Sequence, residues 1–189
     1  GMQQAHGEYL FFVDADDVLL PNTLPSCLSL LRLYSPDILK FGFQELTCYF
    51  SLERQNLINQ SLSYVEYPSG ADFMVLNNFT GVVWTHFFRR SLLETSSLYF
   101  SETSFFEDEE FVAKAYLFAR KMLVTSYKVY GYYRSSSSLT GMTADEKCRE
   151  RILAFREMLF RLNVWKHWID ESIFLLLIIF VRCGEINVV

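Results

Sequence analysis

Gly7–Leu20 reads GEYLFFVDADDVLL, an apolar run that stops at three carboxylates, Asp14, Asp16 and Asp17. Tyr9 to Val13 is short, aromatic and β-branched, which predicts a buried strand. Three acids crowded at the end of a strand repel one another, and a cation relieves that repulsion. Alternation along a strand would send Asp14 and Asp16 to one side and Asp17 to the other, so Asp14 and Asp16 are the candidate ligands of a hard divalent ion. An ordinary acidic turn before Pro21-Asn22 accounts for the same residues without any ligand. An EF-hand calcium loop is excluded, because its third ligand position falls on Val18 and its required glycine on Leu19.

The remainder of the chain bounds the class of function. Its 189 residues are 51% hydrophobic, enough for a packed core, and the formal charge of -5 gives no basic footprint for nucleic acid. Cys27, Cys48, Cys148 and Cys183 lack the paired spacing of zinc or redox motifs and read as reduced core thiols of a cytoplasmic protein. The N-terminal GMQQAHGEYL has neither the basic region nor the cleavage site of a secretory signal. Ile173 to Val181, IFLLLIIFV, falls short of the roughly 20 apolar residues that span a bilayer. It reads as a buried helix, with peripheral membrane attachment beside Trp165 and Trp168 as the minority reading.

Around the acidic stretch, strands and helices alternate. A helix capped by Asn22 or Thr23 is expected to run to Tyr34, its apolar positions including Leu24, Leu28, Leu31 and Tyr34, and to stop at Ser35-Pro36. Ile38 to Phe43 follows as a strand, Leu62 to Val65 as a returning strand, and Ala71 to Asn77 as a helix behind Ser69. VVWTHFFRRS, Val82 to Ser91, leads to a short helix around Leu92 to Thr95. FFEDEEF, Phe105 to Phe111, opens a further helix. Its Glu107 to Glu110 are favoured there by the macrodipole alone, yet carboxylates packed together also acquire the raised pKa of a general base. Two strand-rich pieces, Lys121 to Tyr127 and Lys128 to Tyr133, end at Arg134 before a serine-rich loop; its guanidinium suits phosphate and suits solvent equally. Thr143 to Glu146 is a capping box that begins an all-helical tail.

GEYLFFVDADDVLLPNTL, WTHFFRRSLLE, LYFSETSFFEDEEF and VYGYYRSSSSLT, in this order, resemble the motifs of family 2 glycosyltransferases of the GT-A fold. The likeness covers about Gly7 to Thr140. It implies an α/β fold, a partial GT-A α/β/α sheet over residues 1–142, with residues 143–189 as a helical C-terminal extension. It further implies that Asp14 lies at the nucleotide side and Asp16 binds the metal, Mn²⁺ or Mg²⁺, that bridges the donor diphosphate. Asp108 would be the catalytic base of an inverting displacement, Trp84 and Glu107 would shape the acceptor side, and Arg134 would reach the diphosphate. The implied partners are a nucleotide-sugar donor and a saccharide or lipid-linked saccharide acceptor.

Family members begin with a nucleotide-binding half that has no counterpart upstream of Gln3. An N-terminally truncated enzyme is therefore expected, with a homo-oligomer covering the open side of the sheet. A non-catalytic interaction module is the alternative. FFVDADDVLL also fits the first motif of haloacid-dehalogenase-type phosphatases, with Asp14 as nucleophile and Asp16 as acid/base, but none of the 8 glycines precedes the Asp which that site requires later.

Overall fold

The computed structural model describes residues 1–46, 61–77, 81–102, 105–133, 153–154, 156–158 and 160–161. Arg134, Cys48, Cys148, Cys183, the capping box at Thr143 and the apolar run from Ile173 lie outside the described residues. Among the described residues no helix is long and apolar enough to cross a membrane.

Strand β6 (Met122–Tyr133) is the spine of a mixed sheet. Along one side it pairs in parallel with β3 (Ile38–Leu46). Its other side is shared, β4 (Val65–Tyr67) taking the first half and β2 (Val18–Leu19) the second, both antiparallel. The order continues through β5 (His86–Arg89) to β1 (Tyr9–Phe11) at the far edge, again antiparallel. The sequence suggests two strands between Lys121 and Tyr133; one bulged strand is found instead. Its register against β3 shifts around Gly42, where an added Cβ would lie 2.6 Å from the Ser126 carbonyl oxygen. The bulge also lets the Thr125 hydroxyl donate to Ser63 at 2.6 Å, which ties β6 to the chain entering β4.

Both faces of the sheet are covered, as the α/β reading requires. Helix α1 (Leu24–Tyr34) packs on one face through Cys27, Leu30 and Leu31 against Leu39, Phe41 and Phe87. Leu28, though apolar, is 40% exposed because the buried stripe follows positions 27, 30 and 31. The α1 N-cap is Thr23, but its hydroxyl donates to the Leu20 carbonyl at 2.6 Å and does not cap the helix N–H groups. Ser35 ends the helix in the left-handed conformation, and the expected stop at Ser35-Pro36 is found, since Pro36 cannot continue the helix.

On the other face lie α2 (Gly70–Leu76), α3 (Arg90–Thr95) and α4 (Glu107–Phe118). Ile38, Phe88 and Met122 of the sheet meet Phe73, Phe111 and Tyr116 of the helices in one cluster. Ser69 caps α2 by accepting from Asp72 N–H at 3.0 Å, so the helix starts one residue earlier than expected. Gly70 is required where α2 crosses α4, because a Cβ there would sit 2.4 Å from the Tyr116 carbonyl oxygen. The returning strand also shifts, to Val65–Tyr67 from the expected Leu62–Val65.

Candidate functional site

The first acidic cluster is a turn and not the end of a strand. β1 stops at Phe11, Phe12 packs against Phe88, Phe100 and Phe111 on the α4 side, and the chain then reverses. Asp17 N–H donates to the Asp14 carbonyl at 3.2 Å, closing the turn. The same-side placement of Asp14 and Asp16 by strand alternation therefore does not apply. Asp14 and Asp16 are exposed instead at the head of a turn.

Asp17 does point away, into the sheet. Its carboxylate accepts from the Tyr130 hydroxyl at 2.8 Å and from Tyr133 N–H at 2.7 Å. The same hydroxyl accepts from Asp14 N–H at 3.0 Å, so one phenol anchors both ends of the turn. Asp17 is an internal brace, and Asp14 and Asp16 are the outward carboxylates. Partial desolvation raises the Asp14 pKa although the residue reaches solvent, and the charges of Asp17 and Asp16 add to the rise.

The second acidic cluster occupies the first turn of α4, preceded by Phe106 with φ 64°. That left-handed conformation is costly for a buried aromatic residue, on the order of 1–2 kcal/mol. It turns the chain sharply into the helix. Glu110 is 2% exposed and paired to Lys114 at 2.5 Å and Arg161 at 2.7 Å, which makes it a structural anion. Glu107 and Asp108 are half-buried.

Asp108 receives Val83 N–H on Oδ2 at 3.4 Å. Burial pushes its carboxyl up to about 6; the Val83 N–H opposes the rise, while Glu107, Glu109 and Asp14 reinforce it. A group with this pKa is mostly ionised at neutral pH while remaining able to hold a proton, as a general base must. The Val83 amide that meets Asp108 adjoins Trp84, whose ring stacks on the Tyr130 that braces the first acidic turn.

Between the clusters stand aromatic rings. Trp84 is stacked on Tyr130 at 4.7 Å and on Tyr132 at 5.4 Å, with the edge of Phe43 at 4.9 Å. Trp84 is only 8% exposed, so its chief visible contact is with the sheet; Phe43, at 40%, is the open member of the group. Sequence reasoning missed Tyr130, Phe43 and the Val83 amide. The period-2 tyrosines of VYGYY hold part of the signal, since they place Tyr130 and Tyr132 on one face.

Among the described residues no group of three His, Cys, Asp or Glu side chains is arranged to enclose a metal ion. The donor set still fits one type of occupancy. Mg²⁺ and Mn²⁺ at phosphate sites take one or two carboxylates and complete their shell with phosphate oxygens and water. Asp14 and Asp16 offer two carboxylates, and a cation between them would relieve the repulsion that Asp17 and Asp16 add to the desolvation of Asp14.

No family model matches the sequence. The chain is 27% identical over 140 residues to the poly(ribitol-phosphate) beta-N-acetylglucosaminyltransferase TarS of Staphylococcus aureus strain Mu50, and equally to that of strain MW2. The match covers 69% of this chain and 22% of the relative, so the chain spans about a fifth of that protein's length. Among solved structures, S. aureus TarS 1-349 superposes with a TM-score of 0.54 at 25% identity, over 70% of this chain and 37% of that one. The same fragment in complex with UDP gives a TM-score of 0.53 at 25% identity, over 71% and 38%. The mixed α/β architecture is thus similar to part of the TarS glycosyltransferase structure, and the chain resembles TarS in sequence over the matched region.

Proposed function

We propose that this chain belongs to a family 2, GT-A-type glycosyltransferase that moves a sugar from a nucleotide-sugar donor to an acceptor hydroxyl with inversion. The observation that carries the reading is the bridge between the two acidic clusters: Tyr130, bonded to the Asp14–Asp17 turn, is stacked on Trp84, whose neighbour Val83 donates to Asp108. Asp108 takes the proton from the acceptor hydroxyl as that oxygen bonds to the anomeric carbon, and the bond from that carbon to the nucleoside diphosphate breaks. Asp14 and Asp16 would hold Mn²⁺ or Mg²⁺. Such an ion, when bound, stabilises the negative charge that develops on the departing diphosphate. The need for it follows from charge, since an anionic donor approaching two clusters of carboxylates is otherwise repelled.

Glu107, half-buried beside Asp108, and the aromatic group of Trp84 and Phe43 are proposed to border the acceptor, a saccharide or lipid-linked saccharide. A UDP-sugar is the proposed donor, by analogy with the UDP-bound relative. A second copy covering the β1 edge is the proposed assembly. Calorimetric titration with UDP tests the reading. Saturable binding that needs manganese and disappears in Asp16→Ala is expected, whereas metal-independent binding equal in both proteins would overturn the assignment of Asp16.

A further inference from the structure

Beneath the loop that meets Asp108 lies a buried polar chain with no counterpart in the catalytic assignment. His86 is fully buried, as are Tyr116 and Thr85 within about one per cent, in surroundings otherwise built from Phe73, Phe88 and Phe111. Apolar side chains would fill this space at lower cost. Burying an imidazole and a phenol is tolerated only where each finds a hydrogen-bond partner.

The donors and acceptors favour one arrangement, with the Thr85 hydroxyl also 3.1 Å from His86 Nδ1. The Val82 carbonyl, 3.0 Å from His86 Nδ1, can only accept, so Nδ1 carries the proton. Nε2 is then the acceptor, and the Tyr116 hydroxyl donates to it at 2.6 Å. Thr85 reinforces the turn by donating to the same carbonyl at 3.2 Å, and Lys40 Nζ donates to the Thr85 hydroxyl at 3.4 Å. Burial, followed by the nearby Lys40 charge, keeps the imidazole neutral.

The consequence is mechanical. Tyr116 is on α4, two turns beyond Asp108, and Val82 begins the turn whose next amide faces the Asp108 carboxylate. The same turn touches α4 at a second point, because a Cβ on Gly81 would lie 2.5 Å from Glu109 Cα. We propose that His86 is a positioning residue for Asp108: bonded to Val82 on one side and Tyr116 on the other, it clamps the Gly81–Thr85 turn to α4 so that Val83 N–H meets the carboxylate. Its catalytic meaning rests on the reading of Asp108 as base; the clamp itself does not.

The experiment follows the Val83 amide proton by NMR in the full chain while Asp108 is titrated, in the parent protein, Tyr116→Phe and His86→Asn. In the parent, the Val83 shift is expected to track Asp108 with a midpoint near the pKa of about 6. Both variants are expected to lose most of that response, and the Asp108 midpoint should rise because the amide that lowers it is withdrawn. Tyr116→Phe removes one oxygen and keeps the ring, so it decides the matter should His86→Asn fail to fold. An unchanged Val83 response and Asp108 midpoint in Tyr116→Phe would overturn the clamp. Transfer activity retained in Asp108→Asn would end the base reading and leave these shifts, which require no turnover, untouched.

Discussion

The Tyr130 hydroxyl donates to Asp17 Oδ2 at 2.8 Å, joining the middle of the sheet to the acidic turn. Because the same oxygen accepts from Asp14 N–H, the turn is held at both ends by one side chain of β6. Tyr130→Phe should therefore cost about 1–3 kcal/mol in urea unfolding, the usual loss for hydrogen bonds to a charged group. It should also weaken manganese-dependent UDP binding more than that loss of stability explains. Unaltered nucleotide affinity in a folded Tyr130→Phe protein would show that the brace does not position Asp14 and Asp16.

The pH dependence follows from Asp108. Its pKa in the fold, about 6, lies above its ordinary value, so its contribution to stability is complete in acid and is lost as pH rises through about 6. Catalysis runs in the opposite sense, because only the ionised carboxylate accepts a proton. The transfer rate should fall on acidification through about 6, and Asp108→Asn should abolish transfer while stabilising the fold at neutral pH by about 1 kcal/mol after allowance for solvent screening. A rate profile flat across this range would assign the base elsewhere.

Gly81 faces backbone, with Glu109 Cα only 2.5 Å from where a Cβ would stand. Gly81→Ala must push the turn and α4 apart. A destabilisation of about 1–3 kcal/mol is expected from the overpacking, together with a drop in kcat that exceeds any change in KM for donor. Steady-state kinetics on the variant provide the check; an unaltered kcat would separate this contact from the base.

Glu110 is buried between Lys114 and Arg161. Removing Arg161 leaves that carboxylate with one cation in place of two. Arg161→Ala should lower stability by about 2–4 kcal/mol, somewhat less than complete loss of a buried pair because Lys114 remains. Glu110→Gln in the Arg161→Ala background should recover part of the loss, and thermal melts of the two variants test it. Failure of Glu110→Gln to recover stability would mean that packing, and not charge, joins the residues around Arg161 to α4.

Much of this architecture is local and therefore readable in one dimension. The stop at Ser35-Pro36, the Ser69 cap, the strand beginning at Ile38 and the acidic opening of α4 each depend on a few neighbouring residues, and each is found within a residue or so of its expected place. The outward Asp14 and Asp16 and the inward Asp17 were also legible, although for the wrong reason: a turn, and not strand alternation, separates them. The distribution of acids along the chain marked two candidate clusters. Nothing in their spacing determined how the fold links them.

Tertiary structure decided that link. Only the path of β6, paired to β3 on one side and to both β4 and β2 on the other, brings Tyr130 beneath the acidic turn. Only the packing of α4 over β5 and the Val83 turn sets Asp108 against the Val83 amide, beside the Trp84 ring that stacks on Tyr130. The pKa of a carboxylate depends on burial and on charges brought close from remote parts of the chain, so composition could nominate Asp108 but not tune it. Propensity acts over a few residues, whereas the electrostatics of this site arise between elements far apart in sequence.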